Sequence, residues 1–320
     1  MQKPMNPISI RKAAILVALA AGLSACMGRS ESAIGTAEHP LIVLLSPAHA
    51  PSGLGQSTDE LKKKGERAPL WVLQSELTSQ TGMQVILNIA ASPLDAIEQL
   101  GTRKADAGIL TLEEFLLAHE EYGVMPGLQV LRGKGQTQYD GMILVKAKST
   151  VKKAMDLDGG KFGFVDPYSV SGFLLPAQYL QNEGVKVEAR LLDSHDNAIE
   201  ALIKGEVAAI ATYGSRAAGS KGLRVLARTG TVPNEPFVFR KNLRPEKREA
   251  LIKALKGLTD SPKGKQALLS VADITGFGPV DAGAYRAVHE LLREAGKSVY
   301  DIVPEGAEVR RLNQPYMDAR

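Results

Sequence analysis

Phe162-Gly-Phe-Val-Asp166-Pro-Tyr-Ser169-Val-Ser171-Gly-Phe-Leu-Leu-Pro176 passes from one apolar segment, through a small polar turn, into another. The first segment reads as a buried strand, which Asp166-Pro167 ends. The second reads as a helix over 171–182. A helix start leaves its first N–H groups without intrahelical partners and carries the positive end of the dipole. Ser169, Ser171 and Gly172 at that start make a compact seat for a tetrahedral oxyanion. The same hydroxyls serve as an ordinary helix cap, and spacing alone leaves both readings open.

Outward from this stretch, strands and helices alternate in both directions. On the carboxyl side, strands at 187–191, 207–212 and 223–227 flank a helix at 197–204. Asp193-Ser-His-Asp-Asn197 is the loop between a strand and that helix. It places His195 at the same sheet edge as the serine turn. Imidazole donates to anionic oxygens and changes charge near neutral pH. On the amino side, strands are expected at 41–45, 83–89, 107–110, 128–131, 139–145 and 161–165. Helices are expected at 68–81, 93–100 and 112–122. Beyond Arg244 the chain reads as helical, at 245–258, 261–271 and 282–295. Alternation of this kind predicts mainly parallel sheets covered by helices, and two such series predict two lobes. Ligands of open α/β sheets bind beyond the carboxyl ends of strands. In the first lobe that position offers Ser46, His49, Ser92, Thr111 and Tyr139, each of which also reads as a turn or cap residue.

The chain has 320 residues, enough for two cores, with a net charge of +4. Its basic residues are interspersed with acids and form no stripe with aromatics, which speaks against nucleic acid. The first residues carry Lys3, Arg11 and Lys12 and no acid, and an apolar run over 13–23 follows. This is the pattern of a signal peptide. The run ends in Leu23-Ser24-Ala25-Cys26, which resembles the bacterial lipobox, and Cys26 is the single cysteine. The resemblance implies cleavage before Cys26 and acylation of its thiol, which holds a soluble domain at a membrane. The expected organisation is a signal peptide at 1–25 and a tether at 26–40. The first lobe takes 41–140 with 240–320, and the second takes 141–239.

Four motifs in order resemble the phosphonate-binding branch of the periplasmic binding proteins, which also includes phosphite and phosphate binders. They are Asp166 to Pro176, Ser194-His195-Asp196, Gly205-Glu-Val207, and Val232-Pro-Asn-Glu235-Pro-Phe-Val-Phe-Arg-Lys-Asn-Leu243. The resemblance implies a type II periplasmic-binding-protein fold, two α/β lobes joined by two crossover strands near 139–145 and 235–239. It also implies a monomer that closes on a small anion and delivers it to an ABC permease. Ser169, Ser171, the backbone around Val170, and His195 are then expected to bind the phosphorus oxygens. Glu235 stands at an acidic position that contacts ligand in relatives. Val170 departs from the family's middle hydroxyl residue, Ala208 from its Asp, and Ser215 from an acid found in aminophosphonate binders. Arg216 beside it tilts the expectation toward a more acidic ligand, unless it is a surface residue.

Two other classes compete. A sensor that presents its bound anion to a membrane receptor uses the same fold. A hydrolase built on Ser171 and His195 is conceivable, but no G-x-S-x-G, P-loop or H-E-x-x-H is present. No Cys/His cluster suggests a metal, and no cofactor is expected.

Overall fold

The computed structural model describes residues 30–49, 69–269, 271 and 273–311. The signal peptide and Cys26 lie outside them. Along the chain, β1 is Leu41–Leu45, α1 Pro69–Thr81, β2 Val85–Ile89, α2 Pro93–Gly101, β3 Ala107–Ile109, α3 Leu112–Tyr122 and β4 Met125–Arg132. There follow β5 Gln138–Lys146, β6 Lys161–Phe164, α4 Leu175–Asn182, β7 Glu188–Leu191, α5 His195–Lys204, β8 Ala209–Tyr213, α6 Gly214–Gly219 and β9 Leu223–Pro233. The chain finishes with β10 Pro236–Phe239, α7 Pro245–Gly257, α8 Pro262–Leu269, β11 Ile274–Gly278, α9 Ala282–Glu294 and α10 Gly306–Arg311.

These form two sheets, ordered β11-β4-β10-β3-β1-β2 and β7-β6-β8-β5-β9. The five apolar residues of β1 leave it no polar face, and it sits between β2 and β3 in parallel. Leu41, Val43 and Leu45 enter one core with Leu73, Leu77 and Leu255. Leu44 enters the opposite core with Ile97, Phe115 and Leu116. The second sheet is sandwiched in the same way, with Ile143 and Phe162 on one face and Leu144 and Ile210 on the other.

The two-lobe α/β fold is as expected, but the sheets are mixed rather than mainly parallel. β10 pairs antiparallel with β3 and β4, and β11 with β4. β5 pairs antiparallel with β8 and β9. For β5 and β10 the reason is connectivity. A strand that arrives from the other lobe has no helix-bearing crossover to turn it parallel. β11, in a stretch expected to be helical, is set by its pairing with β4. Residues 236–239 join the first sheet, because Phe237 and Phe239 bury there with Leu128.

The chain therefore passes between sheets through 133–137 and through Asn234-Glu235. Asn234 ties these links together. Its N–H donates to Thr137 O at 2.8 Å, and its amide donates to Val130 O and Gln136 O at 3.0 and 2.8 Å. Residues 30–40 are packed rather than a loose tether. Ile34 is 3% exposed, and Arg240 bridges Glu31 to the buried Asp106 at 2.7 and 3.0 Å. Lys247 also donates to the carbonyl of Ile34.

Candidate ligand-binding site

The strand β6 ends at Phe164, and Asp166 Oδ1 then accepts the N–H groups of Tyr168 and Ser169 at 2.8 and 2.9 Å. This fixes the turn before the helix. Val170–Leu174 is one π-helical turn leading directly into α4. Ser169 is its N-cap, with its hydroxyl accepting from Gly172 N–H at 2.9 Å. Gly172 is required by close approach, since a Cβ there would lie 2.7 Å from the Val165 side chain. Ser169 thus acts as the cap, one of its two sequence readings. Ser171 is 3% exposed, and its hydroxyl lies close enough to Tyr139 to favour the ionised phenol against burial. Among the described residues no protein acceptor lies on the Ser171 N–H.

His195 opens α5 after the cap Ser194 and lies edge-on to Tyr213, with ring centroids 4.7 Å apart. Tyr213 in turn meets the Tyr139 ring at 5.4 Å. His195 Nδ1 is 3.2 Å from the Thr212 hydroxyl. Burial, then the charge of Arg216, lowers the imidazole from 6.5 to about 4. His195 is therefore neutral at physiological pH. Arg216 itself is a half-exposed surface residue paired with Asp196 at 3.0 Å.

The first lobe faces this turn with carboxylates. Glu113, in the first turn of α3, places Oε1 3.3 Å from Val170 N–H. Burial pushes its carboxyl above the ordinary range. Glu114 closes a capping box with Thr111 and accepts the Ser46 hydroxyl at 2.8 Å. Burial raises it to about 7 against those hydrogen bonds. Glu235 receives both Arg132 guanidinium nitrogens at 2.7 and 2.5 Å and His49 Nε2 at 3.0 Å. Burial by itself would raise this carboxyl, but His49 and Arg132 outweigh it and hold it well below the usual carboxylate range. Tyr139 is pushed up by burial and by the charge of Glu113.

The structure thus gathers Ser171, Val170 and Tyr139 in one place, with His195 adjoining through Tyr213. Ser46, Thr111 and Glu235 sit across from them with their polar groups engaged by Glu114, Arg132 and His49. Ser92 is a plain cap, accepting from Asp95 N–H at 3.1 Å. Glu113, Glu114, Arg132 and Asp166 were not singled out from the sequence. For Glu113 the one available signal was an acidic pair after a Thr cap, which reads as helix-dipole complement.

Other bonds hold the lobes together around this cleft. Tyr285 OH donates to Asn234 O at 3.0 Å, and Lys297 lies 5.0 Å from the Phe173 ring centre. An apolar cluster spans the lobes, with Val170 and Leu174 beside Phe115 and Tyr285.

The family model described as ABC transporter, phosphonate, periplasmic substrate-binding protein matches residues 70–285. The chain belongs to that family. It is an extracytoplasmic substrate-binding component that binds a small ligand and works with an ABC permease. No curated protein matches the chain. Among solved structures, a Xanthomonas citri protein bound to ATP has a TM-score of 0.62 at 18% identity, covering 87% of this chain and 99% of that one. The binding-protein component of an ABC phosphonate transporter from Pseudomonas aeruginosa has 0.59 at 18%, covering 87% and 95%. PhnD1 of Prochlorococcus marinus, in complex with methylphosphonate, has 0.58 at 18%, covering 81% and 98%. At these identities the likeness is one of fold. No described helix is long and apolar enough to cross a membrane.

Proposed function

We propose that the chain captures a small phosphorus oxyanion, of the phosphonate, phosphite or phosphate class, between its lobes on the 169–172 turn. The observation that carries this is the Ser171 N–H, without a protein acceptor among the described residues, beside a buried hydroxyl at a helix start packed against Glu113 of the first lobe. Backbone donors and a helix dipole suit an oxyanion without any cation in the turn. His195, neutral, supplies a hydrogen bond rather than a charge. The family membership and the sequence motifs support the same class. Cys26 carries a lipid anchor, and the domain works as a monomer. The family is one of transporter solute-binding proteins, which favours binding over catalysis.

The test is a thermal-shift screen of the processed domain against phosphate, phosphite, alkylphosphonates, sulfonates and sulfate. The best hit is then titrated into Ser171→Ala by calorimetry. A hydrogen bond to a charged ligand is worth about 1.5–3 kcal/mol, so affinity is expected to fall roughly ten- to a hundredfold. An unchanged dissociation constant removes the turn from the site.

A further inference from the structure

The Val170 N–H is a donor that a ligand oxygen on the turn would meet, and a carboxylate already meets it. Glu113 Oε1 crosses from the first lobe to lie 3.3 Å away. This is not a by-product of capping, because the cap of α3 is made by Thr111 and Glu114. The nearest charges on Glu113 are of its own sign, and His49 acts on the adjacent Glu114. Asp166, from the loop entering the turn, faces Glu113, as do Tyr139 of β5 and the adjacent Glu114. Arg132, which acts on the same Tyr139, holds Glu235 with both terminal nitrogens.

A fully ionised oxyanion seated here meets a carboxylate at hydrogen-bond distance. Two oxyanions remain that close only with a proton between them, and once Glu113 is ionised the ligand has to bring it. We propose that Glu113, in its ionised form, is a specificity-determining residue, which admits a tetrahedral oxyanion that shares a proton with it and refuses one of the same shape that has none. This rests on the phosphorus-oxyanion reading and sharpens it. A singly ionised phosphonate or phosphite offers a P–OH to Glu113. A sulfonate has the same head shape and the same single charge, and no proton to share.

Methylphosphonate and methanesulfonate are the probes, compared near neutral pH, where Glu113 is more fully ionised and much of the phosphonate still keeps its P–OH. Calorimetric titration of the parent is expected to show methylphosphonate bound at least about tenfold more tightly than methanesulfonate. The advantage should shrink as pH rises through the second ionisation of the phosphonate. Glu113→Gln presents an amide donor in place of the acceptor. It is expected to raise methanesulfonate affinity by about tenfold or more and to remove most of the pH dependence. Glu114 titrates near about 7 in part because of the Glu113 charge, so Glu114→Gln is carried as a second background in which the Glu113→Gln difference is read again. Glu113→Ala, which deletes the acceptor and adds no donor, should move the sulfonate in the same direction and covers the case in which the Gln variant does not fold. If both variants keep the parent's ratio of the two affinities, the inference is overturned and the phosphorus reading stands. If neither parent nor variants bind methylphosphonate or phosphite, both fall together.

Discussion

Arg132→Met tests whether the Arg132–Glu235–His49 cluster holds the first lobe's side of the cleft by charge. Glu235 is 7% exposed and receives two guanidinium hydrogen bonds at 2.7 and 2.5 Å. Removing one partner of a buried pair costs about 3–5 kcal/mol, because the other charge is left uncompensated. The Arg132 side chain is 28% exposed, so water recovers part of the loss, and His49 stays at 3.0 Å. The expected cost is therefore near the low end, about 3 kcal/mol at neutral pH. The sign with pH follows from the depressed Glu235 carboxyl. Its contribution is complete above the ordinary value of 4.5 and is lost as pH falls through the lower folded value. The gap between parent and variant should accordingly narrow below about pH 4. Urea unfolding at neutral and acidic pH measures both. Adding Glu235→Leu to Arg132→Met should recover part of the loss, since the buried carboxylate that lacked its guanidinium is gone while His49 loses its partner. A deficit under about 1 kcal/mol at neutral pH, or one equal at both pH values, refutes the reasoning and reduces Arg132 to packing.

Three other outcomes are expected. Gly172→Ala should cost about 1–3 kcal/mol in chemical denaturation, through overpacking against Val165, and weaken ligand binding with it; a neutral substitution would show that the turn has room. His195 and Glu114 should give stability slopes of opposite sign. His195 stays neutral down to about 4, so stability is lost as pH falls below 6.5, and His195→Asn should flatten that loss; Glu114 titrates near about 7, so stability is lost as pH rises above 4.5, and Glu114→Gln should flatten that second loss. Parallel pH–stability curves for parent and variants would contradict both. Cys26→Ser should move the exported domain from membrane to soluble fractions or leave it unprocessed, and fractionation identical to the parent's would remove the anchor.

The sequence by itself determined what depends on neighbours in the chain. The apolar run of β1 has no polar face, so it had to be a covered central strand, and its side chains do enter both cores. The passage from Phe164 through Asp166-Pro167 to Gly172 had to be a strand, a turn and a helix start. Cap chemistry and glycine's lack of a Cβ act within a few residues. The order of motifs from Asp166 to Leu243 was sufficient to place the chain in its family.

Only the tertiary structure decided what depends on partners far along the chain. Pro236–Phe239 is a short apolar run that suits a crossover or a strand, and its pairing with β3 and β4 settled which. Glu235 looked like a ligand contact, yet Arg132, 103 positions away, holds its carboxylate. Thr111, Glu113 and Glu114 read as one capped helix start, and nothing local separates the two acids. They diverge because successive helical positions point about 100° apart. One side chain folds back onto its own cap, and the other reaches across to Val170 in the opposite lobe. That second contact exists only once both lobes are in place, which is why no window of sequence contains it.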